Sequence, residues 1–284
     1  MNVVTITGGA GNLGRAVALI LAARDYRVRL FDLPEVDFGF AEDQPHMEVV
    51  QGDLRDRATL TDACRGAEWV VHLAAIMPPL SESNQTLAQA VNVQGTRALV
   101  DAMPPEAALV LASSVATYGL AQSGIVGLDH PQQPIDFYGK TKVQNERDVL
   151  ASGRPSAILR ISGISVPALL EIPRPWFFTR DQKVEFVHLQ DAALAVATCV
   201  GNPKALGHIW QIAGGTSWRT TGQGYAEAIC QAFDVLPESA IYLDKPNWPA
   251  WYDTDDSQAF LDYQRHTFND FVSELHAIYQ EAIG

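Results

Sequence analysis

Short apolar runs rich in β-branched residues recur over 3–7, 27–32, 47–51, 68–74, 107–113 and 156–161, most of them bounded by Gly, Pro, Asp or Asn. Runs of this length read as strands buried on both faces of a sheet. Between them, helical spacing of apolar residues marks 13–24, 56–64, 84–102 and 138–152, each able to carry the chain back across the sheet. The alternation predicts an α/β fold, a doubly wound parallel sheet of the Rossmann kind. After residue 162 the rhythm changes. Pro167, Pro173, Pro175, Pro203, Pro237, Pro246 and Pro249 punctuate shorter elements, and five of the six tryptophans lie in this half. The expected organisation is a nucleotide-binding domain over 1–161 and a smaller substrate-binding lobe over 162–284. A helix near 191–200 and a strand near 207–212 are expected to bring part of 184–215 back to the sheet. No internal repeat or low-complexity linker interrupts the chain.

Chemistry enters at the first strand–helix junction, Thr7-Gly8-Gly9-Ala10-Gly11-Asn12-Leu13-Gly14. Glycines there let the backbone turn tightly and approach a pyrophosphate, and the free N–H groups of a helix start favour its charge. The second strand ends in Asp32, about 20 residues on, where a carboxylate accepts from both ribose hydroxyls and repels a 2′-phosphate. Leu33-Pro34 supplies no arginine to offset that repulsion, so NAD is expected rather than NADP. Asp53, after the third strand, has two compatible readings: an acceptor for the adenine amino group, or the cap of the helix over 56–64.

Tyr138 and Lys142, four residues apart, share one face of the predicted helix over 138–152. A phenol is a poor base at neutral pH unless a positive charge favours the phenolate, and Lys142 and oxidised nicotinamide each supply one. Such a pair alone arises readily by chance. The strand ending in Ser113-Ser114 adds a hydroxyl at the carboxyl edge of the sheet, where doubly wound folds bind ligands. The three together point to proton transfer beside a nicotinamide.

Composition narrows the alternatives. The chain has 284 residues, 47% hydrophobic and 19% charged, and no stretch apolar enough to cross a bilayer. Met1 to Thr7 already read as a strand, leaving no room for a leader, so a cytoplasmic location is expected. A net charge of −13 with only 20 Lys and Arg argues against nucleic acid as a partner. Cys64, Cys199 and Cys230 form no Cys-x-x-Cys pair, and the histidines at 46, 72, 130, 188, 208, 266 and 276 show no close pair in sequence, so no metal site is expected.

The motifs at 7–14, His72-Leu73-Ala74-Ala75, Asn92-Val93-Gln94-Gly95-Thr96, Ser113 to Gly119 and Tyr138 to Lys142 occur in order, and the chain resembles the extended short-chain dehydrogenases, including NAD-dependent sugar epimerases and dehydratases. The likeness is dense over 1–161 and looser through Phe186 to Asp191. It implies Tyr138 as acid/base, Lys142 on the nicotinamide ribose and Ser114 at the reacting oxygen. It also implies that Leu73, Ala74 and Ala75 line the cofactor, that Asn92 supports the helix facing the site, and that helices 84–102 and 138–152 pair with their copies in a homodimer; ordinary packing on the sheet is the alternative for those helices. Leu33, Leu54 and Ile161 complete the expected cofactor set.

Within that family the sequence discriminates further. Dehydratases carry an Asp-Glu pair just after the catalytic hydroxyl, whereas Val115-Ala116 follows Ser114 and can protonate nothing. Sugar-nucleotide epimerases carry an Asn after the sixth strand for the substrate diphosphate; here the chain reads Leu159 to Gly163. Arg174, Arg180, Lys183 and Arg219 are candidates for a diphosphate or carboxylate, Arg219 first, with a surface role as the alternative. Ile76 is a candidate substrate contact. Trp176-Phe177-Phe178 and Trp218 read either as a substrate wall or as filling for a small lobe. His188 and Asp191 precede a helix and receive no chemical role. The expected activity is NAD-dependent oxidoreduction of a secondary alcohol or ketone on a sugar, sugar acid or similar small polar molecule. The rivals are a sugar epimerase, in which the hydride returns to the substrate, and a non-catalytic dinucleotide sensor.

Overall fold

The β-branched runs pair into one seven-stranded sheet in the computed structural model, which describes residues 2–120 and 124–284. Met1, joined above to the first strand, lies outside the described residues. The strands are β1 (Val3–Thr7), β2 (Arg27–Asp32), β3 (Met47–Gln51), β4 (Trp69–His72), β5 (Ala108–Ser114), β6 (Ser156–Ile161) and β7 (Ile209–Ile212). Their order is β7-β6-β5-β4-β1-β2-β3, every neighbouring pair parallel. The order reverses between β1 and β4, so the helices that follow these strands diverge and leave a crevice at the carboxyl edge.

Side chains alternate cleanly across this sheet. In β5, Ala108, Val110 and Ala112 face one core while Leu109 and Leu111 face the other. The first core takes Val17 and Leu21 of α1 (Asn12–Ala23), and the second takes Leu60 of α2 (Arg57–Cys64), Leu99 of α3 (Gly95–Ala102) and Val149 of α4 (Phe137–Ala151). Each such aliphatic side chain contributes about 1.5–3 kcal/mol by leaving water. Helix α5 (Leu189–Cys199) adds Ala192 and Val196 to the α1 side, and β7 extends the sheet beyond β6.

Two local features depart from the sequence reading. The helix expected over 84–102 is not continuous: Asn84 caps a turn over Gln85–Ala88, a wide π-helical stretch follows over Gln89–Gln94, and only then does α3 begin. The Thr96 hydroxyl donates to the Asn92 carbonyl at 2.5 Å, while the Asn92 side chain is drawn to Ile76 and Thr141. Side chains that bond backbone in this way compete with regular helical pairing. The cap of α2 is Asp56, which accepts from the Ala58 N–H at 2.9 Å, and not Asp53, whose carboxylate turns onto Arg55 instead.

In the carboxyl-terminal half a third apolar core gathers aromatics around α6 (Gly222–Ala232) and α7 (Phe268–Ile283), with Trp176, Phe178, Trp218, Tyr225 and Phe271 buried together. Trp176 is 3% exposed and Trp218 1%, so the lobe-filling reading holds for both rather than the substrate wall. No helix of the described residues is long and apolar enough to cross a membrane.

Candidate active site

A cavity of about 670 Å³ opens along the carboxyl edge of the sheet, lined by the glycine turn, by residues at and after the ends of β2, β3, β4, β5 and β6, and by Trp248. At its base the glycine turn demands the absence of side chains. Gly8 has φ +71°, and a Cβ there would come within 2.8 Å of the Ala74 nitrogen; a Cβ on Gly14 would run into the Gly8 carbonyl oxygen. Gly11 precedes α1 with no side-chain cap, so the helix start keeps N–H groups for an anion. A dinucleotide pyrophosphate fits this cradle.

At the end of β2, Asp32 accepts from the Ala10 N–H at 3.0 Å and the Leu33 N–H at 2.9 Å, which fixes its carboxylate beside the turn. Asp53 lines the same end of the cleft with Leu33 and Leu54. The hydrogen bond from Arg55 is the main reason its carboxyl sits below the usual range. Asn12, Leu13, Leu73, Ala74, Ala75 and Ile161 also line the cleft.

The other end holds Ser114, Tyr138 and Lys142 together. Ser114 closes β5, and its Oγ accepts from the Ala116 N–H at 3.1 Å, leaving the hydroxyl proton to donate. Tyr138 and Lys142 rise from the first turns of α4, the ammonium 5.5 Å from the centre of the phenol ring and donating to the Ala112 carbonyl at 2.8 Å. Burial pushes the Tyr138 phenol well up, with the Asp136 carboxylate adding and the Ser114 hydroxyl opposing. Burial also brings Lys142 down to about 8, and the Glu146 carboxylate limits the fall. The lysine is therefore still largely cationic at neutral pH.

The start of α4 is held from two sides. Asp136 accepts from the Gly139 N–H at 2.6 Å, and Glu82 accepts from the Phe137 and Tyr138 N–H groups at 2.8 and 3.0 Å. Two carboxylates at a helix N-terminus match its dipole. Asn92 is fully buried and does not line the cleft: its amide clamps both backbone groups of Ile76 and reaches Thr141 of α4. Behind it, Thr96 Oγ donates to Asn92, so it must accept from His72 Nε2–H at 2.8 Å, leaving His72 Nδ1 to accept from Thr7 at 2.6 Å. Burial first, and the Lys142 charge second, push His72 down to about 3, consistent with a neutral ring in this relay.

Of the substrate candidates, Ile76 lines the cleft and three others do not. Arg219 binds buried Glu185 at 2.9 Å and the Tyr252 carbonyl at 2.7 Å; it is a structural ion pair, neither a substrate contact nor a surface residue. Trp176 is in the lobe core, and Arg174 is exposed away from the cleft. The wall the sequence did not reveal is Met77, Pro78, Ile164, Val166 and Trp248. Its members are scattered over three segments with no shared period, and only their neighbours in the chain, Ile76 and Ile161, pointed toward two of those segments.

The fold also creates a histidine pair that sequence spacing hid. His188 and His266 stack at 4.2 Å between ring centres, and with Asp191 they bring potential ligand atoms within 4.8 Å of one another. Those atoms already serve the lobe: His188 accepts from the Gln190 N–H and meets Glu274, while Asp191 accepts from Arg265 and His266.

Relatives of this chain carry more than one chemistry. Human sterol-4-alpha-carboxylate 3-dehydrogenase, decarboxylating, is 33% identical over 187 residues, covering 60% of this chain and 48% of that protein. UDP-glucose 4-epimerase of Rhizobium leguminosarum bv. trifolii is 35% identical over 148 residues, 49% of this chain and 43% of that protein. The chain thus spans about half the length of the curated relatives it matches. Among solved structures, a short-chain dehydrogenase/reductase superfamily protein from Agrobacterium tumefaciens with bound NAD superposes with a TM-score of 0.84 at 22% identity, covering 99% of this chain and 98% of that one. UDP-glucuronic acid 4-epimerase from Bacillus cereus, in complex with NAD, gives 0.82 at 19% identity, covering 99% and 100%. These two share the fold. The family model described as NAD dependent epimerase/dehydratase matches residues 4–167, more than half of the chain and all of the glycine turn, Asp32 and the Ser114, Tyr138 and Lys142 set. The chain belongs to the NAD dependent epimerase/dehydratase family.

Proposed function

We propose that this chain interconverts a secondary alcohol and its ketone, with Ser114, Tyr138 and Lys142 managing the proton. The observation that carries this is the meeting of these three side chains in the same cleft as a glycine turn that fits NAD, the family's cofactor. Gly8 to Gly14 would hold the pyrophosphate, Asp32 the adenosine ribose, and Leu73 to Ala75 with Ile161 the flanks. NAD supplies the hydride acceptor for the carbinol carbon. Ser114 donates to the substrate oxygen and fixes it beside Tyr138, which takes the hydroxyl proton as the carbonyl forms. Lys142 stabilises the Tyr138 phenolate that accepts this proton, and the transfer leaves a neutral phenol.

Among the described residues, no carboxylic acid lines the cleft beside Ser114 to serve a dehydration. The carboxylates lining the cleft are Asp32 and Asp53, both at the adenosine end, while Val115 and Ala116 stand after Ser114. A second reading, epimerisation with return of the hydride, is favoured by the identity with the Rhizobium enzyme. Net NADH formation separates the two. The homodimer through the segments 84–102 and 138–152 belongs to this proposal as well, and light scattering tests it.

Tyr138→Phe is expected to lower kcat by about 10²–10⁴-fold while NAD still binds. With the Lys142 pKa brought down to about 8 by burial, oxidation is expected to turn over near that value, falling as pH rises further and the lysine charge is lost. Lys142→Arg should move the turnover upward; a profile indifferent to this change removes the lysine from the proposed role.

A further inference from the structure

Charged side chains line the cleft at four places, Asp32, Asp53, Arg55 and Lys142. The first three stand at or just after the ends of β2 and β3, where the adenosine would lie, and Arg55 is already paired with Asp53. Lys142 is committed to the Ala112 carbonyl and the Tyr138 ring. Ile76, Met77, Pro78, Ile164, Val166 and Trp248 give the same cleft an apolar lining. The Trp248 ring is held against Phe177 and Phe186 at 5.7 and 6.1 Å between centres, so the apolar surface it offers is fixed. Met77 is 62% exposed, which carries the apolar character out to the mouth.

No cation stands ready to move into this region among the described residues of the lobe that the sequence offered for the task. Arg219 is bound to Glu185, Arg180 lies over the Tyr242 ring, Lys183 lies over Trp251, and Arg174 is outside the lining. The position after β6, where a diphosphate-binding amide was missed in the sequence, is Ser162. It is 5% exposed, lines the cleft, and its hydroxyl has no partner in the protein. One neutral hydroxyl serves a neutral oxygen well and a diphosphate poorly, because a buried phosphate without cations loses its hydration uncompensated.

We infer that the substrate is an uncharged, largely apolar cyclic secondary alcohol or its ketone, and neither a sugar nucleotide nor a sugar acid. This rests on the hydride-transfer reading above. The ring lies on the Val166 and Trp248 wall and presents its one reacting oxygen to Ser114 and Tyr138. The hydride goes to NAD, the hydroxyl proton goes to Tyr138, and the carbon–oxygen double bond forms.

The test is a three-part panel with the purified chain and NAD: apolar alcohols (cyclohexanol, decalinols, 3-hydroxysteroids), free glucose and glucuronate, and UDP-glucose with UDP-glucuronate. NADH is followed by absorbance and epimers by NMR. Expected is turnover of at least one apolar alcohol with kcat/KM about 100-fold or more above any member of the other two parts. Trp248→Ala should then raise the KM for that alcohol about tenfold. Preference for a UDP-sugar or a sugar acid, abolished by Tyr138→Phe, overturns the substrate class and leaves the hydride chemistry standing. Neither NADH nor epimer from any member, with NAD bound, overturns both.

Discussion

Asp32 shows how much one side chain decides. Its two carboxylate oxygens are each fixed by one backbone N–H, from Ala10 and Leu33, so its position follows from the glycine turn and the strand end rather than from its own rotamer preferences. Each oxygen keeps a second lone pair for a ribose hydroxyl, and the negative charge works against a 2′-phosphate. Asp32→Ala is expected to weaken NAD about 10- to 100-fold and to bring NADP within tenfold of it, measured by fluorescence titration with both cofactors. Unchanged discrimination would show that another group reads the ribose. Asp32 was legible in the sequence because spacing from the glycines fixes it. Arg219 was misread because its partner, Glu185, is distant in the chain, and no local pattern announces an ion pair formed by packing.

At the scale of elements, the sheet and most helices could be read from the period of apolar positions, whereas the interruption at 89–94 could not. That wide turn arises where Thr96 donates to the Asn92 carbonyl and the Asn92 side chain bonds the Ile76 backbone and Thr141, and side-chain competition of this kind leaves the apolar period intact. The same stretch ties His72 of β4 to α4 through Thr96, Asn92 and Thr141. His72 has its pKa depressed to about 3 in the folded chain, against about 6.5 when unfolded. Below pH 6.5 the unfolded chain gains a proton that the folded chain refuses, so the stability this neutral ring confers is full above that pH and falls as pH drops toward 3. The slope approaches about 1.4 kcal/mol per pH unit for one proton. Urea unfolding of His72→Gln between about pH 6 and 4 should lose stability less steeply than the parent by that amount. Parallel curves for the two would mean that His72 titrates in place.

At the scale of the whole molecule, one buried network among the ties of α4 runs from that helix through β6 and β7 to the segments of Val126 and Asp253. Glu146 of α4 pairs with Arg160 of β6 at 2.8 Å, with side chains 3% and 6% exposed. Ser113 and Gln132 donate to the same carboxylate, and Arg160 donates to the Tyr118 hydroxyl at 3.0 Å. Tyr118 donates to Gln211 of β7, whose amide reaches the Val126 and Asp253 carbonyls. Glu146 stands one turn beyond Lys142, so whatever fixes the carboxylate also fixes the face that carries Tyr138 and Lys142. A buried pair of this kind adds little over apolar residues of equal volume, but removing one partner strands the other. Arg160→Ala is therefore expected to cost about 3–5 kcal/mol in urea unfolding, whereas a joint Arg160→Met and Glu146→Leu replacement should recover most of that loss. The recovered double variant should nevertheless turn over substrate more slowly than the parent. It lacks the carboxylate that holds up the Lys142 pKa, so the upper limb of its pH profile should shift below 8. A double variant that regains stability and keeps the parental profile would assign the network to folding alone, with no influence on the proton-transfer set.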